Sequence, residues 1–340
     1  MQTSPFPYSD TNKRYHTYDY YLKHKYGTKC ARIPIDAGFS CPNREKTHHR
    51  NGESNGTGCI YCSARGSGDF CSSPLLPPRV QFAETYDRLC RKWNTNAERE
   101  KRLPAIPYFQ AFTNTYAPLD TLKALYEEAL HYTDAHGNPV YIPALSIATR
   151  PDCLPPDVVS YLAELNHRVD VTVELGLQSA HDKTLQRIRR GHDTAAFLSG
   201  YRRLKEAGIA VCVHIINGLP GENAEDMLET ARLLSALQPD FLKIHMLHVL
   251  RGTPLEAQYM EKQHAGNAIS LLTLSEYVDI VCRQLELLPP TTVICRLTGD
   301  GASKDLIAPL WAKNKHAVLA QIDKTLAARG TYQGKEFSAQ

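Results

Sequence analysis

The alternation of short apolar runs with amphipathic stretches is the feature of this chain that most restricts its fold. From residue 31 onward, runs rich in β-branched and aromatic residues alternate with stretches whose apolar residues recur every three or four positions. Strands and helices in this order form parallel sheets, because each strand must reach the next through a right-handed crossover. Several runs are nearly continuous in apolar residues, as expected of strands covered on both faces. The order therefore predicts an α/β fold.

Six strand and helix units account for the chain between residues 31 and 250. The predicted strands are 31–36, 106–113, 141–149, 170–177, 210–218 and 241–249, and the predicted helices between them are 82–94, 119–132, 156–166, 194–207 and 224–237. Units of this kind close into a half-open or full barrel. We therefore expect a partial (β/α)6 TIM-like barrel whose chemistry lies at the carboxyl ends of the strands.

Two flanking segments differ from this pattern. Residues 1–30 form an arm that is dense in tyrosine and lysine, and residues 251–340 follow a looser pattern with helices at 274–287 and 314–329 and a strand at 293–297. The predicted division is therefore an N-terminal arm (1–30), a core barrel (31–250) and a C-terminal α/β extension (251–340). We expect the arm and the extension to close the mouth of the barrel.

Composition limits which cellular compartment and which binding partners are expected for this chain. The N-terminal residues are polar, no apolar run is long enough to span a bilayer, and the chain has ten cysteines, which together predict a cytoplasmic protein in a reducing environment without a membrane partner. The net charge of +3 is too small to indicate a polyanionic partner by itself.

Three cysteines follow the first predicted strand in a glycine-rich segment. Cys41, Cys59 and Cys62 have the spacing Cys-x17-Cys-x2-Cys. A structural zinc site has four protein ligands, whereas an iron–sulfur cluster with three protein ligands keeps one iron free to bind a small molecule. Cys71 lies close enough in sequence to be a fourth zinc ligand, and a disulfide is a third interpretation. The missing fourth ligand favours the cluster.

Polar residues at two strand ends suggest a bound ligand. Thr113 and Asn114 follow the second strand, where they are suited either to bind the ammonium and carboxylate of an amino acid or to cap a helix. Glu174 interrupts the apolar fourth strand and needs a polar partner when buried. A ribose hydroxyl or an ammonium fits this role, and an ion pair with Arg150 or Arg190 is the alternative.

The segments after the fourth and fifth strands add further candidates. Arg190 presents a planar guanidinium that can bind a carboxylate, unless it belongs to a solvated basic helix end. The fifth strand ends in Gly-Leu-Pro-Gly (218–221), which is typical of a type II turn and lies where an adenine ring could be contacted. His245 and His248 lie three apart on the sixth strand, so at most one is expected to face the barrel rim.

A set of short motifs in a fixed order resembles the radical S-adenosylmethionine enzymes. The motifs are Gly-Phe-Ser-Cys-Pro-Asn-Arg (38–44), Phe-Gln-Ala-Phe-Thr-Asn-Thr (109–115), Thr-Arg-Pro-Asp-Cys (149–153), Glu-Leu-Gly-Leu-Gln-Ser (174–179), Arg-Arg-Gly-His (189–192), Gly-Leu-Pro-Gly-Glu (218–222) and Ala-Pro-Leu-Trp (308–311). Within that superfamily the chain is most similar to an uncharacterised bacterial family related to the radical domain of the Elongator catalytic subunit. The wide spacing between the first two cysteines matches the expanded loops of the Elongator branch.

The resemblance implies two cofactors, a [4Fe-4S] cluster and S-adenosyl-L-methionine. Cys41, Cys59 and Cys62 would ligate the cluster, whose free iron binds S-adenosylmethionine, and an electron donor such as flavodoxin or ferredoxin would reduce it. The residues implied to contact S-adenosylmethionine are Thr113 and Asn114 at the ammonium, Glu174 and Gln178 at the ribose, Arg190 at the carboxylate, and Ile216 and Gly218 at the adenine. The resemblance identifies no catalytic residue.

The Elongator relationship also implies tRNA as the substrate. The tyrosine and lysine arm and the basic positions of the cysteine loop (44, 46, 48, 49 and 50) are suited to stacking and phosphate contacts. An amphipathic helix that packs across the barrel is the other explanation of the arm. A zinc-containing nucleic-acid-binding protein without catalysis is the alternative function.

Overall fold

A seven-stranded parallel sheet forms the centre of the molecule. The computed structural model describes residues 6–45, 48–49, 52–53, 56, 58–66, 68–69, 71–93, 102–264, 269–299 and 304–338. The strands follow one another across the sheet in chain order, and each neighbouring pair is parallel. The sheet and its outer helices form the partial TIM-like barrel expected from the sequence.

The seven strands are β1 (Ala31–Ile35), β2 (Ala105–Phe109), β3 (Ala144–Thr149), β4 (Asp170–Gln178), β5 (Ala210–Asn217), β6 (Phe241–Met246) and β7 (Val293–Arg296). The helices are α1 (Tyr18–Tyr26), α2 (Pro78–Trp93), α3 (Leu119–Ala129), α4 (Pro156–Asn166), α5 (Asp182–Arg187), α6 (Thr194–Glu206), α7 (Ala224–Leu237), α8 (Pro254–His264), α9 (Leu274–Leu287) and α10 (Lys315–Ala328). Two short antiparallel ribbons pair His48–His49 with Gly52–Glu53 and Val249–Leu250 with Leu306–Ala308.

The seventh strand corrects one part of the predicted architecture. The sequence pattern assigned residues 293–297 to the C-terminal extension, outside the barrel, but β7 pairs in parallel with β6, with Val293 opposite Phe241. The strand is short and follows a Pro-Pro break, so its own sequence gives little indication of its partner. The sheet therefore continues past residue 250, and the predicted three-part division of the chain stays a prediction.

The helices on the outer face cover a continuous apolar core. Phe82, Tyr126, Phe197 and Tyr277 come from four different helices, and their side chains are at most 2% exposed. Local signals set the helix ends. Helix α7 begins after Asn223, whose side chain accepts hydrogen bonds from the backbone, while Asp226 accepts one in return from the backbone of Asn223.

The N-terminal arm lies at the amino ends of the strands. Leu22 of α1 packs with Ile106 and Ala144, and the Tyr21 ring meets that of Phe241 edge to face, with centroids 5.0 Å apart. Ile106, Ala144 and Phe241 stand at the beginnings of β2, β3 and β6. The prediction that this arm closes the mouth is therefore wrong, because α1 covers the opposite end of the barrel, and the packed-helix explanation is the correct one.

The C-terminal extension does reach the mouth. The backbone N–H of Leu255 donates to the carbonyl of Ile60 in the cysteine segment at 2.9 Å, and Leu255, Ile60 and Val249 share a second apolar cluster. This position agrees with the expectation that the extension helps to close the mouth. Across the described residues, every helix is too short or too polar to span a lipid bilayer.

Candidate functional site

The three cysteines of the first loop line one cavity at the carboxyl ends of the strands. Cys41, Cys59 and Cys62 share this cavity of about 120 Å³ with residues of β2, β4 and the segment after α5. The site lies where a parallel β/α barrel places its chemistry. We call it the cysteine cavity.

The surroundings of Cys59 favour its thiolate form. A hydrogen bond from the Cys62 thiol, together with the positive charges of Arg190 and Arg150, lowers the pKa of Cys59 well below its ordinary value. The side-chain amide of Asn43 also donates to Cys59 Sγ at 3.4 Å. Thiolates are the form of cysteine that ligates metals, so Cys59 is prepared for a metal centre.

Cys71 does not share this cavity. It is buried, and its sulfur accepts a hydrogen bond from Gln110 Nε2 at 3.4 Å. A tetrahedral zinc site would bring four sulfurs to about 3.8 Å from one another, given zinc–sulfur bonds of about 2.3 Å. Among the described residues, the groups whose ligand atoms all lie within 4.8 Å of each other include none of these cysteines. The geometry thus does not favour a four-cysteine zinc site.

Thr113 lies at the wall of the cysteine cavity with the buried Asn114 next to it in sequence, and neither residue caps a helix. Helix α3 begins at Leu119 after Pro118, so the capping alternative is wrong. Asn114 Nδ2 donates to the carbonyls of Ala111 and Ala148, both at 3.0 Å. Thr113 lines the cavity, and both Thr113 Oγ1 and Asn114 Oδ1 are buried without a hydrogen-bond partner. Such atoms are uncommon in proteins and are suited to a bound polar group.

Arg190 is buried against the cysteines. Its side chain donates to Cys59 Sγ at 3.8 Å and to the carbonyl of Gly176 at 2.8 Å. The alternative of a solvated basic helix end is therefore wrong, since Arg190 is only 7% exposed. Its Nε has no hydrogen-bond partner, which leaves one donor for a ligand in the cavity.

Glu174 is the centre of a buried ion-pair network. Its carboxylate accepts from Lys243 Nζ at 2.5 Å and from His214 Nε2 at 2.8 Å, and it also pairs with Arg32. The ion-pair partners expected from the sequence, Arg150 and Arg190, are thus replaced by others. Burial alone would raise the pKa of the Glu174 carboxyl, but the charges of Arg32 and Lys243 outweigh it and hold this pKa well below its usual range. The ribose contact stays a prediction.

The remaining predicted contacts lie near the same site. Gln178 ends β4 with a φ of 74°, in the left-handed region, and lines the cysteine cavity. Gly218 also has a positive φ of 84°, and its N–H donates to Met227 Sδ at 3.2 Å. The type II turn predicted after Gly218 is confirmed, because the Glu222 N–H donates to the Leu219 carbonyl at 3.1 Å and Gly221 has a φ of 89°. The adenine contacts of Ile216 and Gly218 stay predictions.

A second cavity of about 350 Å³ continues from the cysteine cavity into the barrel. We call it the lumen. The residues that line both spaces are Tyr61, Cys62, Gly66, Tyr108, Gln110, Gln178 and His214. Ile216 lies in the lumen wall. His245 and His248 both line the lumen, so the expectation that at most one faces the rim is wrong. Strand β6 ends at Met246, and the strict alternation of sides ends with it.

Sequence reasoning missed the basic residues of the lumen. Lys243 is 1% exposed, and its ammonium also donates to the Tyr108 hydroxyl at 3.1 Å. Arg32 lies over the Tyr108 ring, 3.9 Å from its centroid. The available signal was the same as for Glu174, namely a charged residue within an apolar strand, since Lys243 interrupts Phe-Leu-Lys-Ile-His-Met (241–246).

The residues of the cysteine cavity fit an iron–sulfur cluster and a small polar ligand. The three cysteines could supply thiolate ligands, and the unpartnered atoms of Thr113 and Arg190, which also line the cavity, are free to donate to or accept from a ligand. Three protein ligands leave one iron of a cubane cluster open.

Comparison with known proteins agrees with this geometry. Residues 56–234 match the model of the Radical SAM superfamily, and residues 239–328 match that of the Radical_SAM C-terminal domain. The uncharacterized protein YtqA of Bacillus subtilis is 45% identical over 337 residues, which cover 99% of this chain and 97% of that protein. The uncharacterized protein MJ0486 of Methanocaldococcus jannaschii is 34% identical over 94% of this chain and 91% of its own length.

The chain is more distantly similar to proteins of the Elongator complex. Human Elongator complex protein 3 is 28% identical over 160 residues, which are 46% of this chain and 28% of the human protein. The solved structure of archaeal Methanocaldococcus infernus Elp3 shares the fold, with a TM-score of 0.61 and 16% identity over 89% of this chain and 64% of that chain. Taken with the two family models, these relatives show that the chain belongs to the radical SAM superfamily, in a family related to the Elp3 protein of Elongator.

Proposed function

We propose that this protein holds a [4Fe-4S] cluster through Cys41, Cys59 and Cys62 and uses it to cleave S-adenosylmethionine reductively. The observation that supports this most directly is the single cavity that contains all three cysteines together with unpartnered polar atoms. A cluster held by these cysteines would, once reduced, supply one electron to the sulfonium of S-adenosylmethionine, giving methionine and a 5′-deoxyadenosyl radical that would take a hydrogen atom from the substrate.

The chain's own residues bind and orient the reactants. Thr113 Oγ1 and Asn114 Oδ1 would accept from the methionyl ammonium, and Arg190 Nε would donate to the methionyl carboxylate. Gln178 faces the ribose from the end of β4, and Ile216 packs on the adenine side toward the lumen. Glu174, which also pairs with Lys243 and His214, would contact the ribose from the same strand as Gln178. The C-terminal extension at the mouth excludes water from the radical.

Metal and product analysis tests this proposal. Protein purified without oxygen is expected to contain about four irons per chain, to show a reduced-cluster signal in electron paramagnetic resonance, and to form 5′-deoxyadenosine from S-adenosylmethionine with dithionite. In cells, flavodoxin or ferredoxin is the proposed reductant. One zinc per chain without iron, and no 5′-deoxyadenosine, would instead support the zinc-containing nucleic-acid-binding protein.

We further propose that the substrate is a nucleoside in tRNA. The support is the relationship to Elongator and the basic cysteine loop, of which Arg44 lies at the cavity, while positions 46 and 50 lie outside the described residues. The N-terminal tyrosines do not add to it, since Tyr18, Tyr21 and Tyr26 pack against the barrel.

Nucleoside analysis of cells tests the tRNA substrate. Deleting the gene is expected to remove one modified nucleoside from bulk tRNA and to accumulate its precursor. The wild-type gene should restore the modification, whereas a gene encoding Cys59→Ala should not. An unchanged tRNA nucleoside profile, in a strain whose purified protein still cleaves S-adenosylmethionine, would refute the substrate and leave the radical chemistry intact.

A further inference from the structure

The lumen is lined by more cationic than anionic side chains. Among the described residues of its wall, Arg32, Lys243 and Arg296 are cationic, and Asp69 is the one that bears a carboxylate. Asp69 lies beside the cysteine segment, where the Ser63 hydroxyl donates to it at 3.3 Å, and burial raises its pKa. The lumen wall thus has more cationic side chains than carboxylates among the described residues.

Two of these cations share a single carboxylate. Arg32 and Lys243 both pair with Glu174, which also accepts from His214. A buried structural ion pair normally matches one cation with one anion, because an uncompensated charge away from water is costly. The strands β1 and β6 thus bring more positive charge into the barrel than Glu174 neutralises.

Two buried nitrogens of the lumen lack partners, a guanidinium donor and a histidine ring nitrogen that can donate or accept according to its tautomer. Arg32 Nε and His248 Nε2 are buried without a hydrogen-bond partner. Arg32 lies against the Tyr108 ring, which orients the guanidinium and leaves its edge available. Burial and the positive charge of Arg32 lower the pKa of Lys243 to about 8. A bound anion would offset the repulsion between Arg32 and Lys243, and it would therefore favour the charged form of Lys243.

We propose that the lumen is a binding site for an anionic group, a carboxylate or a phosphate, of the molecule that reacts in the barrel. Lys243 and Arg296 face the lumen from β6 and β7, and Arg32 faces it from β1. Seven residues are common to the lumen and the cysteine cavity, so the bound anion and the cysteines lie in one continuous space. The inference rests on the proposed function for the molecule that reacts, but it can be tested separately, since anion binding needs neither a reductant nor S-adenosylmethionine.

Anion-dependent stability of the intact protein tests this site. The melting temperature of the oxygen-free protein is measured with increasing sodium phosphate or sodium acetate, and with sodium chloride at equal ionic strength and neutral acetamide as controls. At least one of the two anions is expected to raise the melting temperature in a saturable way, because a ligand that binds only the folded state stabilises it. The anion that binds more tightly identifies phosphate or carboxylate as the group that the lumen prefers.

Substitutions in the lumen test whether the anion that stabilises the protein binds there. Lys243→Met is expected to weaken the apparent affinity for that anion about tenfold, which is the usual loss for one charged hydrogen bond. Lys205→Met is the matched control, because Lys205 pairs with Asp240 on the surface. Arg296→Gln provides a second test from another strand, should Lys243→Met fold poorly, with Arg329→Gln as its control. The proposal is wrong if neither anion stabilises the protein beyond chloride, or if both lumen variants respond like wild type.

Discussion

Replacing Cys59 by alanine is expected to abolish the cleavage of S-adenosylmethionine and to reduce the iron content well below about four per chain. Cys59 is 3% exposed, and it receives hydrogen bonds from Cys62, Asn43 and Arg190. A methyl group cannot ligate iron, and two remaining cysteines are too few for a stable cubane cluster. Iron analysis, electron paramagnetic resonance and 5′-deoxyadenosine formation measure the loss.

Cys71→Ala is the matched control for this variant. Cys71 is also buried, at 8% exposure, and lies on the same loop, but its sulfur meets Gln110 and not the cysteine cavity. The variant should keep its iron and its 5′-deoxyadenosine formation. If Cys71→Ala lost its metal together with Cys59→Ala, a four-cysteine site would be present and the proposed cluster would have to be abandoned.

Replacing Glu174 by glutamine is expected to destabilise the protein by about 3–5 kcal/mol. The substitution keeps the shape of the side chain but removes the negative charge that Arg32 and Lys243 share. Both cations would then be buried without compensation. Equilibrium denaturation followed by circular dichroism, at neutral pH and without oxygen, measures the difference in the free energy of unfolding.

The loss of stability should depend on pH. Lys243 has a folded-state pKa of about 8 in the wild type, below its ordinary value of 10.5, so its folded state binds fewer protons than the unfolded state above pH 8. Without Glu174 this pKa falls further, and the variant begins to gain stability at a lower pH than the wild type. The difference between the two proteins should therefore shrink as the pH rises toward 8.

Glu127→Gln is the comparison for this experiment. Glu127 forms a two-point ion pair with Arg168, but both side chains are exposed, at 39% and 52%. Its loss is expected to cost at most about 1 kcal/mol. A Glu174→Gln effect as small as this one would mean that the buried network does not stabilise the fold, and that water or an ion compensates the two cations.

Local signals explain which elements could be predicted from the sequence. Helices 156–166, 224–237 and 274–287 have the predicted bounds, because each begins at a proline or at a capping residue such as Asn223 or Thr273. The sequence pattern does not predict that β7 joins the barrel sheet, since its pairing with β6 spans about fifty residues of sequence. Pairing over such a distance depends on where the intervening helices pack, which no local pattern specifies.

Local sequence patterns also predict only part of the candidate site. The spacing of Cys41, Cys59 and Cys62 predicts a metal-binding loop, and the structure brings the three cysteines into one cavity. Glu174 was recognised as a residue that needs a partner, but its partners Arg32 and Lys243 come from the first and sixth strands. The curvature of the sheet brings these side chains into contact, so their ion pairs with Glu174 could be identified only from the barrel structure.

The position of α1 has a consequence for the shape of any substrate. Because this helix lies across the amino ends of the strands, the described residues cover the lumen at that end, and the lumen joins the cysteine cavity at the carboxyl ends. A long polymer cannot thread through such a pocket. Only a chain end, or a single unit turned out of its strand, can reach the interior.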